Sequence, residues 1–248
     1  MDISVVVTFH NENLLAKWML EGFARTRQYA EDQGLAIEMI CVLDTANEDT
    51  TAIVTNHPSL RETDTVVRVA NRDLATSRND GVRAATGEYV SIVDGDDYYS
   101  KEWLVRARAR AREASDQAVV HPEYVVSFGT VHSLTKVIDQ ERDDYPLASC
   151  FKIHPWISTA FARAHIFRET PYTRCDAVAG YGYEDWHWNL ETVAAGHRHI
   201  TAPETALYYR RKAASMLTHH VQRGVTIRPS AFFRSPEKWT TWANGGPR

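Results

Sequence analysis

Apolar runs alternate with amphipathic stretches along the first half of the chain. Runs rich in Val, Ile and Leu, which are typical of strands buried on both faces, span 3–9, 37–43, 65–70 and 89–93. Apolar residues at helical spacing predict helices over 12–33, 50–56, 75–85 and 101–114. This alternation of strands and helices predicts an α/β fold with a parallel, doubly wound sheet and right-handed crossovers.

The pattern changes after residue 114. The elements predicted there are strands over 119–128 and 131–138, a helix over 184–195, and short strands over 199–202 and 206–210. Residues 145–170 give no clear assignment. We therefore expect the second half to add a smaller, antiparallel part to a mostly parallel sheet.

The predicted strand at 89–93 runs into three carboxylates, in the stretch V-S-I-V-D-G-D-D-Y-Y. Two like charges about 4 Å apart repel by about 4 kcal/mol at an effective dielectric constant near 20. In doubly wound sheets, ligands bind beyond the carboxyl ends of the strands. The strand ends expected to share one crevice carry Thr8, Phe9, Asp44, Asp94, Asp96 and Asp97. The carboxylate turn is therefore either well solvated or the seat of a cation.

Composition and charge mainly exclude classes of function. A formal net charge of -4 gives no basic excess of the kind that nucleic-acid binding requires. The run R-A-R-A-R-A-R at 106–112 is interpreted as a solvated helix or, alternatively, as a phosphate or membrane-surface patch. Three widely spaced cysteines without C-x-x-C argue against a disulfide framework or a zinc site. No stretch approaches the roughly 18 apolar residues of a membrane span, so we expect a cytoplasmic protein.

Several segments carry motifs in a fixed order. The most specific is R-N-D-G-V-R-A-A-T-G-E-Y-V-S-I-V-D-G-D-D at 78–97. The others are S-V-V-V-T-F-H-N-E at 4–12, C-V-L-D-T-A-N-E-D-T-T at 41–51, G-Y-G-Y-E-D-W-H-W-N-L-E-T-V-A-A-G at 180–196 and A-L-Y-Y-R-R-K-A-A-S-M at 206–216. Taken together, this set resembles glycosyltransferase family 2, the inverting enzymes with the Rossmann-like GT-A fold. The resemblance covers about residues 3–216.

The resemblance implies a nucleotide-diphosphate sugar donor, with UDP- or dTDP-sugars favoured, and a Mg²⁺ or Mn²⁺ ion held by hard oxygen ligands. Asp96 would ligate the metal, and Asp94 would share the metal or contact the ribose of the nucleotide. Asp44 would accept the imide N–H of uracil or thymine, or else is a turn aspartate. Arg78 would lie against the nucleotide or diphosphate, or else forms a helix-surface salt bridge. The donor-binding residues implied are Thr8, Phe9, Glu12, Asp44, Arg78, Asp94, Gly95, Asp96 and Arg211.

Inversion requires a general base that removes the proton of the acceptor hydroxyl. The resemblance assigns this role to Asp185, with Glu184 beside it. Adjacent helical residues point about 100° apart, so only one of the two is expected to face the reacting centre. Alternatively, both acids only stabilise the start of a helix. Residues 1–115 would form the donor half, 116–225 the acceptor and catalytic-base half, and 226–248 a C-terminal tail.

The expected reaction transfers a sugar to a hydroxyl of a glycan or lipid-linked acceptor, and peripheral association with a membrane stays open. His219 and His220 are candidates for metal or phosphate contacts from a closing loop. A rival hypothesis is a non-catalytic module that only binds nucleotide sugars. A phosphohydrolase is a weaker rival, because that class carries its D-x-D on the first strand and this chain carries it on the fourth.

Overall fold

One mixed sheet organises the computed structural model, which describes residues 1–143, 145–213 and 215–236. Its strands are β1 (Ile3–Phe9), β2 (Ile37–Asp44), β3 (Thr65–Val69), β4 (Tyr89–Asp94), β5 (Tyr98–Tyr99), β6 (Ala118–Gly129), β7 (Ser133–Lys136), β8 (Ala160–Arg163) and β9 (Arg198–Arg211). The α-helices are α1 (Leu14–Asp32), α2 (Glu48–Thr55), α3 (Leu74–Ala84), α4 (Trp103–Ala114), α5 (Ala164–Glu169), α6 (Glu184–Ala194) and α7 (Met216–Arg223). A 3₁₀ helix spans Leu147–Phe151.

The first half forms the expected parallel sheet, in the order β3-β2-β1-β4. Every residue of β1 and β2 is buried, as continuous apolar runs predict. Val5 and Val7 of β1 belong to the core that contains Met19 of α1. Val6 points the other way, into a second core beside α3. Helices therefore cover both faces, and the strand ends are left as the open edge.

The second half extends the sheet with mostly antiparallel pairs. Strand β8 lies between β4 and β6 and is antiparallel to both; it falls in the region that the sequence pattern left unassigned. The two short strands predicted near 199–202 and 206–210 are in fact one strand, β9, which runs parallel to β6. A bulge opposite Glu123 and a positive φ of 57° at Glu204 interrupt the register. This bulge explains why the pattern predicted a break.

Helix α3 lies very close to β1 because residue 81 is glycine. A Cβ at this position would lie 2.2 Å from Cγ1 of Val6, well inside van der Waals contact. Asp73 caps the helix by accepting a hydrogen bond from the backbone N–H of Thr76 at 2.8 Å. The close approach brings Ser77 and Arg78, in the first turns of α3, to the carboxyl edge of the sheet.

The arginine-rich helix α4 is tied to its surroundings by ion pairs. Arg108 pairs with Asp2 at 2.9 Å, and Arg110 pairs with Glu141 at 2.6 Å. These pairs favour the interpretation of this run as a structural surface helix. No helix among the described residues is long and apolar enough to cross a bilayer. Of the predicted tail at 226–248, residues 237–248 lie outside the described residues.

Candidate active site

The carboxylate turn after β4 packs tightly against the end of β1. A Cβ on Gly95 would lie 2.5 Å from Phe9 Cδ1 and 2.6 Å from the Thr8 carbonyl oxygen, so only glycine fits there. Thr8 lies opposite Asp94 in the sheet. The Phe9 ring is 1% exposed and belongs to the core, so it offers no surface to a ligand. Gly95 and Phe9 thus shape the turn, and the neighbouring carboxylates remain at the edge.

Arg78 joins the turn after β4 to the first turn of α6. Its guanidinium contacts Asp94 Oδ1 at 2.8 Å and Glu184 Oε1 at 2.9 Å, and it lies 5.3 Å from the centre of the Tyr172 ring. The second oxygen of Asp94 accepts a hydrogen bond from Ser158 at 2.8 Å. Arg78 is 1% exposed. It therefore fixes the two carboxylates and, in this conformation, has no surface for a diphosphate.

Asp185 faces the crevice from the first turn of α6. The helix begins after Tyr183, a non-glycine residue in the left-handed region with φ 56° and ψ 58°, and such costly conformations cluster at functional sites. Asp185 Oδ1 accepts the backbone N–H of Trp186 at 2.8 Å, and Oδ2 lies 3.9 Å from His154 Nδ1. Burial raises the pKa of Asp185 and outweighs the opposing attraction of Arg78. A raised pKa makes this carboxylate a stronger proton acceptor.

Glu184 differs from its neighbour because it is locked in place. Its side chain is 5% exposed, Oε1 is paired with Arg78, and Oε2 accepts a weak contact from Cys175 Sγ at 3.5 Å. Burial and repulsion from Asp185 raise its pKa. Of the two predicted catalytic acids, Asp185 is the one with a side chain open to the crevice, at 23% exposure.

Asp96 contacts a cation supplied by the chain itself. Lys212 Nζ lies 2.5 Å from Asp96 Oδ2. Arg210 holds the same turn, since its Nε donates to the Asp96 carbonyl at 3.1 Å and its backbone N–H donates to Asp97 Oδ1 at 2.7 Å. Glu12 lies nearby: its pKa is raised by burial first, with repulsion from Asp96 adding to it. The loop after β1 and the segment after β9 therefore meet at the turn.

Asp97 is a buried member of the carboxylate turn. It is 1% exposed, and its Oδ2 has no hydrogen-bond partner among the described residues. Burial, followed by repulsion from Asp96 and Asp94, raises its pKa well above the ordinary value. A carboxyl group in this setting binds its proton tightly, which removes one of the three charges and relieves the repulsion expected from the sequence.

Asp44 is held by four donors from the protein. Oδ1 accepts from the backbone of Arg72 at 2.9 Å and from Thr45 Oγ1 at 3.1 Å. Oδ2 accepts from the backbone of Asp73 at 3.0 Å and from Ser77 Oγ at 2.9 Å. A carboxylate offers about four acceptor positions, so those of Asp44 are filled. This geometry favours the turn role for Asp44 over contact with a base.

The remaining predicted residues are Arg211, which ends β9, and His219 and His220. The Arg211 guanidinium lies 5.6 Å from the centre of the Tyr209 ring. His219 and His220 belong to helix α7 and not to a loop. The His220 ring packs edge-on against Tyr183 at 4.9 Å, so it supports the residue that precedes the predicted catalytic acids.

The carboxylates fit a divalent cation with few protein ligands. Among the described residues there is no cluster of three or more His, Cys, Asp or Glu side chains that could hold a metal ion. Mg²⁺ commonly takes only one or two carboxylates and completes its shell with water and substrate phosphates. Both oxygens of Asp94 are already engaged. Among the described residues, the side chain of Asp96 is contacted at one oxygen, by the flexible side chain of Lys212. Asp96 is therefore the better candidate ligand.

Several residues that contact the site were not singled out by the sequence pattern, among them Ser158, His154 and Lys212. Ser158 and His154 fall in the unassigned stretch before β8, where no periodic signal was available. Lys212 directly follows the two arginines of the Y-Y-R-R-K segment, and the same motif could have drawn attention to it.

A sequence model of Glycosyl transferase family 2 matches residues 4–172 of the chain. The chain therefore belongs to this family. Among curated relatives, a poly(ribitol-phosphate) beta-glucosyltransferase of Bacillus spizizenii is 31% identical over 43% of this chain and 16% of its own length. The uncharacterized glycosyltransferase EpsJ of Bacillus subtilis is 29% identical over 45% of this chain and 30% of its own length. The match therefore covers well under two thirds of the length of either relative.

Solved structures identify the fold as GT-A. TarS 1-349 of S. aureus in complex with UDP-GlcNAc superposes with a TM-score of 0.67 at 17% identity, over 100% of this chain and 68% of that one. A mannosyltransferase of Pyrobaculum calidifontis in complex with GDP-Man and Mn²⁺ superposes with a TM-score of 0.59 at 19% identity, over 98% and 70% of the two chains. The expected α/β fold and the family resemblance are confirmed.

Proposed function

We propose that the chain is the catalytic part of an inverting, cation-dependent glycosyltransferase. It would transfer a sugar from a UDP- or dTDP-sugar to a hydroxyl of a glycan or lipid-linked acceptor, with the donor bound by residues 1–115 and the acceptor and base supplied by 116–225. The observation that carries the proposal is that Arg78 pairs with both Asp94 and Glu184. These ion pairs bring the carboxylate turn that holds Asp96 and the helix start that holds Asp185 to the same crevice.

In the proposed reaction, the acceptor oxygen attacks the anomeric carbon from the face opposite the diphosphate. A new carbon–oxygen bond forms, and the bond to the diphosphate breaks, with its electron pair leaving on the diphosphate oxygen. Asp185 accepts the proton of the acceptor hydroxyl. A raised pKa helps this step, since burial in the first turn of α6 favours the protonated carboxyl. When bound, Mg²⁺ or Mn²⁺ would neutralise charge on the leaving diphosphate, with Asp96 as its ligand.

The solved structures with the same fold support a nucleoside-diphosphate sugar as the donor. Two proteins of the same fold were solved with their donors bound, TarS with UDP-GlcNAc and the mannosyltransferase with GDP-Man and Mn²⁺. Both donors are nucleoside-diphosphate sugars, and both present the diphosphate that Asp96 and a cation would bind. A uridine or thymidine donor is favoured for this chain by its resemblance to UDP- and dTDP-sugar enzymes.

Thermal unfolding with UDP, dTDP, GDP and CDP, each with and without Mn²⁺, tests donor binding. A ligand at about 100 times its Kd adds about 2.7 kcal/mol to the free energy of unfolding, and we expect this gain for UDP or dTDP with Mn²⁺. Asp96→Asn should lose the gain, because it removes the charged ligand. Asp185→Asn should keep it, because that residue lies on the acceptor side.

Release of UDP from UDP-sugars in the presence of glycan acceptors tests catalysis. We expect turnover by the natural chain and none by Asp185→Asn. The absence of stabilisation by any nucleotide would contradict the donor assignment. Nucleotide-sugar binding without turnover under every acceptor tried would instead favour the rival non-catalytic module.

A further inference from the structure

The amine of Lys212 lies against the Asp96 carboxylate, where a divalent cation would bind. Its Nζ lies 2.5 Å from Asp96 Oδ2, within the range of a charge-assisted hydrogen bond. Arg210, two residues earlier, donates to both the Asp96 carbonyl and Asp97, so the backbone that leads into Lys212 is tied to the turn. Lys212 directly follows the last residue of β9, and this tie keeps it beside Asp96.

The charges around Lys212 favour a cation at this point. A lysine amine is charged at neutral pH, and this one lies in direct contact with the Asp96 carboxylate. Its side chain is 37% exposed, against 15% for Asp96, so the lysine reaches the carboxylate from the solvent side of the crevice. A flexible four-carbon stem lets it leave by the same side.

We propose that Lys212 is an exchangeable internal cation of the donor site, which neutralises Asp96 in the free chain, yields this carboxylate to the divalent cation, and then binds the diphosphate of the donor. This inference rests on the proposed function. An ammonium group 2.5 Å from Oδ2 repels a divalent cation on either oxygen of the same carboxylate, so the two cations compete for Asp96. Lysine is a common ligand of phosphate, and a diphosphate bound to a cation on Asp96 would offer the displaced ammonium a new anionic partner.

The proposal gives Lys212 two opposite effects that separate measurements resolve. Competition makes the lysine unfavourable for metal binding in the absence of nucleotide. Contact with the diphosphate makes it favourable for nucleotide binding once the metal is saturating, since displacement from Asp96 is then already complete. A residue with a merely structural role would not change these two affinities in opposite directions.

The experiment compares Lys212→Met with the natural chain. Mn²⁺ alone is titrated and followed by the electron paramagnetic resonance of the free ion, and UDP is then titrated at saturating Mn²⁺ by calorimetry. We expect Lys212→Met to bind Mn²⁺ about fivefold more tightly, equivalent to about 1 kcal/mol, and to bind UDP about fivefold more weakly. Lys212→Arg keeps the charge and should stay close to the natural chain in both titrations.

Two controls make the result decisive. Lys17→Met removes the same charge from an exposed position on α1, where the side chain is 51% exposed, and should change neither affinity. Asp96→Asn should abolish Mn²⁺ binding with and without the lysine. If Lys212→Met binds Mn²⁺ no more tightly than the natural chain, or if neither binds Mn²⁺ without nucleotide, the exchange is refuted. If UDP with Mn²⁺ fails to bind even the natural chain, the proposed function fails as well.

Discussion

Arg78→Met is expected to destabilise the protein strongly. The substitution keeps an unbranched side chain but removes the guanidinium that joins Asp94 and Glu184, and it leaves both carboxylates without a counter-ion. Removing one partner of a buried ion pair costs about 3–5 kcal/mol. Because the Asp94 side chain is 22% exposed, water absorbs part of the penalty, and we expect a loss of about 3 kcal/mol. For a chain of this size the loss lowers Tm by roughly 6–12 °C.

The effect should also depend on pH. The pKa of Glu184 is already raised by burial, with Arg78 opposing the shift, so loss of Arg78 raises this pKa further. An acid with a raised pKa in the folded state binds its proton more tightly there than in the unfolded chain. The variant therefore loses stability as pH rises from about 4.3, the unfolded value, through the folded pKa. The difference between variant and natural chain should be smaller at pH 5 than at pH 8.

Urea unfolding at both pH values measures these differences. Arg83→Met on the same helix is the matched control, because that side chain is 66% exposed and its pair with Asp80 lies at the surface; it should cost under about 1 kcal/mol. Adding Glu184→Gln to Arg78→Met should recover part of the loss by removing one orphaned charge. An Arg78→Met protein within about 1 kcal/mol of the natural chain at pH 8 would refute the reasoning.

Three further outcomes are expected. Gly81→Ala should cost about 1–3 kcal/mol in urea unfolding through overpacking against Val6, and a neutral result would mean that α3 can shift freely. The acid limb of the kcat profile should lie above the ordinary aspartate pKa of about 3.9, because burial raises the pKa of Asp185; a limb at or below that value would argue against this base. Burial lowers the pKa of His121 to about 3, so the unfolded chain binds the extra proton between that value and about 6.5, and stability should fall as pH falls through this window. His121→Gln should reduce that slope by up to about 1.4 kcal/mol per pH unit, whereas an unchanged slope would contradict a neutral His121.

The local sequence pattern was sufficient to predict strands that are buried on both faces along their whole length. Strands β1, β2 and β4 were predicted nearly to their observed ends, since central parallel strands are apolar throughout. Strands β5 and β8 were missed, because two and four residues respectively are too few to carry a period. The bulge at Glu204 made a single strand resemble two.

The sequence by itself determined the parallel half of the sheet, and therefore that the carboxylates of the D-G-D-D turn and the ends of β1 and β2 lie at one edge. It also placed Asp185 in the first turn of a helix. Only the tertiary structure decided how these charges are paired. Arg78 meets Glu184 across 106 positions of the chain, and Lys212 reaches Asp96 from the far end of β9. The physical reason is that periodicity encodes which face of an element is buried, whereas the partner of a charge depends on which distant elements the completed core brings together.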